Sequence, residues 1–370
     1  MFSVCPSSAA RGSLPAWLRG ALCSGVVGAM MTMGCGGGPI PPDVVTVAAG
    51  LDNPTDVVVL DDGSLLVAES GAGRVVRVSD AGEVSPLIDG FALGTFFPYD
   101  IGPLAVAVRG DGSLVVGEGG ESIGRERVSF FAGDGSDAGV AALVPISGGD
   151  FRAVVIEPAG GDLYIASAST NRVFRAAAGG GGFGEPAAFV ADTTLPPIGF
   201  DSPWALAIDA DGNLLIGFAD VDAGGIARLA TSGGDEAGSA EMIYTSARMV
   251  TGIAVRPADG VVFFSEFSAA RPDDARIARF RDGQVETFFG GDLVGPTSIA
   301  FGQEGELYVT TLGATPNADS GSVLRLTPVT IADTSDSETG TPGDASPPPS
   351  ADPPATNGES GSTNGESGSG

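Results

Sequence analysis

Histidine and lysine are absent from all 370 residues, and cysteine occurs only three times. Without imidazole there is no Ser/His/Asp or Cys/His dyad, no histidine metal ligand and no histidine base. All 18 basic residues are Arg, so Schiff-base chemistry and a phosphate-loop lysine are excluded as well. Against them stand 46 acids, giving a formal charge of −28 and a pI near 4.1. Such a chain repels phosphate backbones, and it contains no basic patch, so nucleic acid is not an expected partner.

The first 34 residues carry Arg11 and Arg19, no acid, and a small, apolar run from Gly20 to Gly34 (GALCSGVVGAMMTMG). This run is too short for a comfortable bilayer span but suits the core of a signal peptide. It ends at Gly34-Cys35, followed by three glycines. A small residue before Cys at that point resembles a bacterial lipobox, which implies lipidation at Cys35, although Thr32 and Met33 depart from the usual pattern. The alternative is an ordinary secretory signal cut nearby. The chain is thus expected to be exported, as a membrane-anchored lipoprotein of the cell envelope or as a secreted protein. Cys5 and Cys23 would be removed in either case, which leaves no disulfide to stabilise the body.

At the other end, the last 40 positions hold seven acids, no Arg, no aromatic residue and the string TNGESGS twice. Nothing there offsets the entropy of ordering, so 329–370 reads as a disordered spacer. The leader contributes +2 and the tail −7, leaving −23 on the segment between them. The acidity therefore belongs to the body of the protein.

That body repeats. Six strands begin on Gly63, Gly112, Gly161, Gly212, Gly260 and Gly305, spaced 49, 49, 51, 48 and 45 residues apart. Each is preceded by an apolar strand (PTDVVVL at 54, GPLAVAV at 102, FRAVVIE at 151, SPWALAI at 202, TGIAVRP at 251, GPTSIAF at 295) and followed by a third strand, read as ending in a basic residue. A fourth strand follows in five units, at 83, 139, 185, 240 and 283, and is missing from the sixth. The missing strand stands at the other end, as DVVTVAAG from 43 to 50. The expected fold is all-β, a six-bladed β-propeller of four-stranded blades over 43–328, with the N-terminal strand closing the last blade and leaving no free edge. Residues 1–34 are then the lipoprotein-type signal peptide and 35–42 a short tether.

Phrases such as GLDNPTDVVVLDDGSLLVAESGAGRVVRV (50–78) resemble the NHL-repeat, gluconolactonase-like and glucose/sorbosone dehydrogenase-like group of six-bladed propellers. The resemblance covers 43–328 and implies the fold, not one activity. The quinone-dependent dehydrogenases of that group use a histidine base that this chain lacks. Gluconolactonase-like members imply a divalent cation held by Glu, Asn and Asp. The nearest strings here, Asp201-Ser202-Pro203-Trp204 and Thr251-Gly252, do not reproduce that set.

Propeller ligands sit over the channel mouth, among the loops entering the first strand and leaving the second. Second strands end at Glu69, Glu118, Ser167, Phe218, Glu266 and Thr311, with Asp220 just beyond Phe218. First strands are entered near Asp56, Asp100, Asp150, Asp201, Thr251 and Thr297, and the longest entry loops add Phe96, Phe97, Tyr99, Phe200 and Trp204. The ligand or metal candidates are accordingly Glu69, Asp100, Glu118, Asp201, Asp220, Glu266, Tyr99 and Trp204. Carboxylates with aromatics around one mouth suit a small polar ligand or an envelope protein partner, with no cofactor assigned. The alternative is a metal-dependent lactonase or hydrolase holding one Ca2+ or other divalent cation. A third reading is a structural envelope protein without a ligand. The structural alternative for these strand-end carboxylates is a plain hydrogen bond to a neighbouring blade. The five residues Arg77, Arg175, Arg228, Arg279 and Arg325 share one repeat position and are expected to pair between blades, and Asp209-Ala-Asp-Gly-Asn213 reads as a turn. Membrane contact is expected through the lipid anchor alone, and the protein is expected to be a monomer.

Overall fold

The computed structural model describes residues 41–96, 98–119, 127–137, 151–158, 161–179, 182–184, 187–190, 202–220, 223–231, 240–268, 271–281, 283–291 and 293–328. All of them fall in the unit Pro41–Gly370. They form strands and turns, with no helix among the described residues. The expected signal peptide, tether residues up to 40, lipidation site Cys35 and tail 329–370 lie outside the described residues.

The protein is a six-bladed β-propeller. Inner strands are Pro54–Val59, Pro103–Val108, Phe151–Ile156, Pro203–Ile208, Met249–Val255 and Pro296–Phe301, in blades one to six. Each pairs antiparallel with a second strand: Leu65–Glu69, Leu114–Glu118, Leu163–Ser167, Leu214–Asp220, Val262–Ser268 and Leu307–Thr311. Third strands follow as Arg74–Val78, Val128–Phe131, Arg172–Ala176, Ala223–Leu229, Arg271–Arg281 and Gly321–Thr327. Outer strands are Val84–Asp89, Ala187–Val190, Glu241–Ser246 and Gln284–Gly290 in blades one, three, four and five. The expected outer strand of blade two, at 139, lies outside the described residues. In blade six the outer strand is Asp43–Leu51, which pairs with Gly321–Thr327 from Asp43↔Thr327 to Leu51↔Gly321. The ring therefore closes by hydrogen bonds between the two ends of the repeat region, and this removes a sheet edge.

The repeated glycines have a backbone cause. Gly63, Gly112, Gly161, Gly212, Gly260 and Gly305 all have φ between +70° and +86° in the turn from inner to second strand. Only glycine adopts that region without strain, so the turn fixes the residue six times.

Second strands are buried along their whole length in blades one, two, three and six. Their side chains point alternately into the two flanking gaps between blades, where separate apolar clusters form. The repeated arginines correct the expectation of pairing between blades. Arg77 bonds Asp62, Arg175 bonds Asp162 at 2.7 Å and Arg228 bonds Asp209 at 2.7 Å, all on the inner-to-second turn of their own blade. Arg279 bonds Glu286 at 3.3 Å on its own outer strand. The third strand runs beside the turn of its own blade, so the guanidinium meets that turn first.

Candidate functional site

All six inner strands share one irregularity. The register against the second strand slips between Pro54 and Asp56, Pro103 and Ala105, Phe151 and Ala153, Pro203 and Ala205, Val250 and Gly252, and Pro296 and Ser298. The residue skipped in each blade is Thr55, Leu104, Arg152, Trp204, Thr251 or Thr297. A β-bulge re-aims the side chain it carries, and here six bulges form one ring at the channel mouth.

Half of that ring does structural work. Thr251 donates to the Pro296 carbonyl at 2.6 Å, Thr297 to the Pro54 carbonyl at 2.8 Å, and Thr55 to the Pro103 carbonyl at 3.3 Å. Each hydroxyl thus ties its blade to the next, running from blade five through six and one to two. The other half abandons threonine. Leu104 is buried, and the Arg152 guanidinium lies 4.1 Å over the Trp204 ring, a close cation–π stack. This break in the repeat is where the mouth acquires chemistry of its own.

The next ring inward holds Asp56, Ala105, Ala153, Ala205, Gly252 and Ser298. Asp56 Oδ1 accepts from Val57 N at 2.9 Å and Ser298 Oγ at 2.7 Å, and Oδ2 accepts from Val106 N at 2.8 Å. One carboxylate thereby joins blades six, one and two. Burial in the centre of the propeller pushes its pKa up to about 6, against the lowering effect of those three donors. Its remaining exposure is to the bore, a cavity of about 50 Å3 lined also by Thr55, Arg152, Trp204, Thr251, Thr297 and Ser298. Gly252 completes this ring because a Cβ there would meet Ser265 Oγ at 2.8 Å and Ile299 N at 2.9 Å.

The six strand-end candidates share one register position, since Glu69 faces Pro54, Glu118 faces Pro103 and Val250 faces Glu266. The three glutamates are at most 5% exposed. Glu69 accepts from Arg74 Nε at 2.6 Å and from Asp52 N at 3.0 Å. Glu118 accepts from Arg127 Nε at 3.0 Å and closely from Ser129 Oγ. Glu266 accepts from Arg276 Nε at 2.9 Å, Arg248 Nη1 at 3.3 Å and Tyr244 OH at 2.9 Å. Each is committed to an Arg in or just before its own blade's third strand, and hydrogen bonding to Glu69 raises the pKa of Arg74.

Tyr99 and Asp100 lie half-buried on a short hairpin, Gly94–Phe96 against Tyr99–Ile101, between blades one and two. Asn317, from the last long loop, fastens it. Its Oδ1 accepts from Asp100 N at 2.8 Å and Asn53 Nδ2 at 2.7 Å, and its Nδ2 donates to Pro98 O at 3.0 Å. Burial raises the pKa of Tyr99. Burial and the negative charges of Asp319, Glu69 and Asp100 raise that of Asp52, so Glu69 and Asp100 are brought together around a residue absent from the candidates. Asp220 ends the second strand of blade four opposite Ala223, and Trp204 is the bulge residue of that blade. Asp150, Phe97, Phe200 and Asp201 lie outside the described residues. Among the described residues, no three acids stand in an arrangement suited to a metal ion.

No family model and no curated protein matches this chain. Solved structures do. A PQQ-bound aldose sugar dehydrogenase from Streptomyces coelicolor is 17% identical with a TM-score of 0.56, over 78% of this chain and 99% of that one. A gluconolactonase from Xanthomonas campestris is 16% identical with a TM-score of 0.56, over 76% of this chain and 89% of that one. A glucose dehydrogenase-like oxidoreductase from Thermus thermophilus is 19% identical with a TM-score of 0.55, over 77% and 99%. The shared property is the fold. The structural neighbours are gluconolactonase-like and sugar-dehydrogenase-like propellers, and neither activity follows from identity this low.

Proposed function

We propose that the protein is an exported, envelope-anchored binding module whose channel mouth takes a small polar, sugar-like ligand. The observation that carries this reading is the Arg152–Trp204 stack, which replaces the threonine tie between blades at one side of the mouth. An indole face offers apolar area for a sugar ring, and the surrounding hydroxyls and the Asp56 carboxylate accept and donate hydrogen bonds. Size decides how the ligand lies. The bore of about 50 Å3 admits a group the size of a water or a hydroxymethyl, far below the ~300 Å3 that encloses a whole ligand. The ligand therefore rests across the mouth and inserts one polar group toward Asp56.

A second reading, a metal-dependent lactonase, is favoured by Asp56 alone. A carboxyl group with a pKa of about 6 in a channel exchanges protons near neutral pH, as general acid–base work requires. Incubation with gluconolactone, with and without millimolar calcium, distinguishes the two. The binding reading expects saturable association and no turnover above the uncatalysed rate, whereas calcium-dependent hydrolysis lost in Asp56→Asn supports the lactonase.

A further inference from the structure

The inner strands carry a second regularity, just below the bulges. One residue of each, Val57, Val106, Val154, Leu206, Ile253 or Ile299, faces the fourth residue after the turn glycine of its own blade. In an antiparallel pair, alternate residues turn their backbone N–H away from the partner strand. At this position that direction is into the bore, because Val57 N and Val106 N both donate to the Asp56 carboxylate, at 2.9 and 2.8 Å. The other four blades share the register and therefore the direction.

Asp56 caps two of these six N–H groups, and Ile299 N of blade six is set against Gly252. The remaining three, on Val154, Leu206 and Ile253, belong to blades three to five, across the ring from Asp56. All three residues line the bore. They keep 7–9% exposure, whereas Val57 and Val106 keep only 1–2%. The residues standing where Asp56 does in those blades are Ala153, Ala205 and Gly252, and none has a side-chain acceptor. Ser298, at the same level in blade six, is committed to Asp56.

Buried backbone N–H groups are almost always paired, with protein, water or ligand. A water oxygen has two lone pairs and cannot serve three donors, whereas the two oxygens of a carboxylate offer about four acceptor sites. Arg152 lines the same bore and adds positive charge, and Asp56 is the other charged residue of the lining. The volume of about 50 Å3 has room for a group this small and for no whole sugar.

We propose that the bore is an anion site, in which the N–H groups of Val154, Leu206 and Ile253 hold one small carboxylate. Two sources carry that chemistry: a free anion, and the carboxylate of an acidic sugar lying across the mouth. The site itself rests on the bore alone, while the second source also rests on the ligand reading of the mouth. Asp56 gives the site a pH dependence. Below about pH 6 it is a neutral carboxyl that shares the bore with an anion, and above that it is a second negative charge that repels one.

The test is isothermal titration calorimetry of the full chain with sodium formate as probe. Saturable binding is expected at pH 5 and at least tenfold weaker binding at pH 8, a difference that is expected to vanish in Asp56→Asn. Ala205→Asn gives blade four a side-chain oxygen where blade one has Asp56, aimed likewise at the N–H of its own blade and of the next. It is expected to weaken formate at least tenfold. Where that variant does not fold, Ala205→Ser, which places there the residue type of Ser298, makes the milder form of the same test. Glucuronate is expected to bind at least tenfold more tightly than formate. Equal affinities would assign the site to free anions, supporting the bore site while counting against a sugar at the mouth. No saturable formate binding at pH 5, or formate affinity unchanged by substitution at Ala205, would overturn the proposal.

Discussion

Ser298 of blade six donates to the carboxylate of Asp56 in blade one at 2.7 Å, across the seam where the ring closes. The same carboxylate accepts Val106 N of blade two, so one titrating group spans three blades. Because its folded pKa, about 6, is raised above the ordinary carboxyl value of 3.8, the native state binds this proton more tightly than the unfolded chain. Its contribution is fully present below about pH 4 and is lost as the pH rises through 6. The stability of the natural protein minus that of Asp56→Asn is expected to fall by about 2 kcal/mol between pH 4 and 7. Urea denaturation of both proteins across that range measures it, and a flat difference would remove the raised pKa from the account.

The threonine ties predict a graded series. Thr251→Val and Thr297→Val each leave a buried proline carbonyl without its donor, and each is expected to cost about 1–3 kcal/mol. Thr55→Val, whose bonds are both 3.3 Å long, is expected to cost less. Equal losses in the three proteins would show that the hydroxyls do not hold neighbouring blades.

Much of this architecture was legible in the chain. The six glycines marked the turns because positive φ selects them, and the strand missing from blade six reappeared at Asp43 because a closed ring needs it. The Arg–Glu pairs were not read, because bonds to a neighbouring blade were expected, yet Glu69 and Arg74, Glu118 and Arg127, and Glu266 and Arg276 each pair within one blade. The mouth was harder to read. Trp204 was named and Asp56 was placed at the entry to the first strand without being chosen as a candidate, whereas Arg152 went unnamed because it looks like a strand residue until the bulge re-aims it. Aligning PTD, PLA, FRA, PWA, VTG and PTS exposes the break at Leu104, Arg152 and Trp204. Asn317 gave no signal, because only the folded chain brings it to Asp100, 217 positions away.

Glu266 separates structure from binding. Its carboxylate is fully buried and accepts from two arginines that are 26% and 29% exposed. Removing a buried partner costs about 3–5 kcal/mol, and the partial exposure of the arginines reduces this to about 2 kcal/mol for Glu266→Gln. Chemical denaturation is expected to record that loss, with ligand affinity at the mouth within twofold of the natural protein. A tenfold loss of affinity at unchanged stability would make Glu266 a ligand contact.

For export and anchoring, Cys35→Ala is expected to abolish incorporation of labelled fatty acid and to move the protein from the membrane to the soluble fraction. Persistence of membrane association in the substituted protein would contradict the lipid anchor.

Trp204 stands at the channel mouth and reports on it directly. The chain has two tryptophans, so in Trp17→Phe the emission belongs to Trp204 alone. Titration with a panel of aldoses and sugar lactones is predicted to give a saturable change in that emission for at least one member, weakened at least tenfold by Arg152→Ala. Emission unchanged by every member up to 100-millimolar-order concentration (~0.1 M), where binding would be worth under about 1.4 kcal/mol, would contradict a ligand site at the channel mouth.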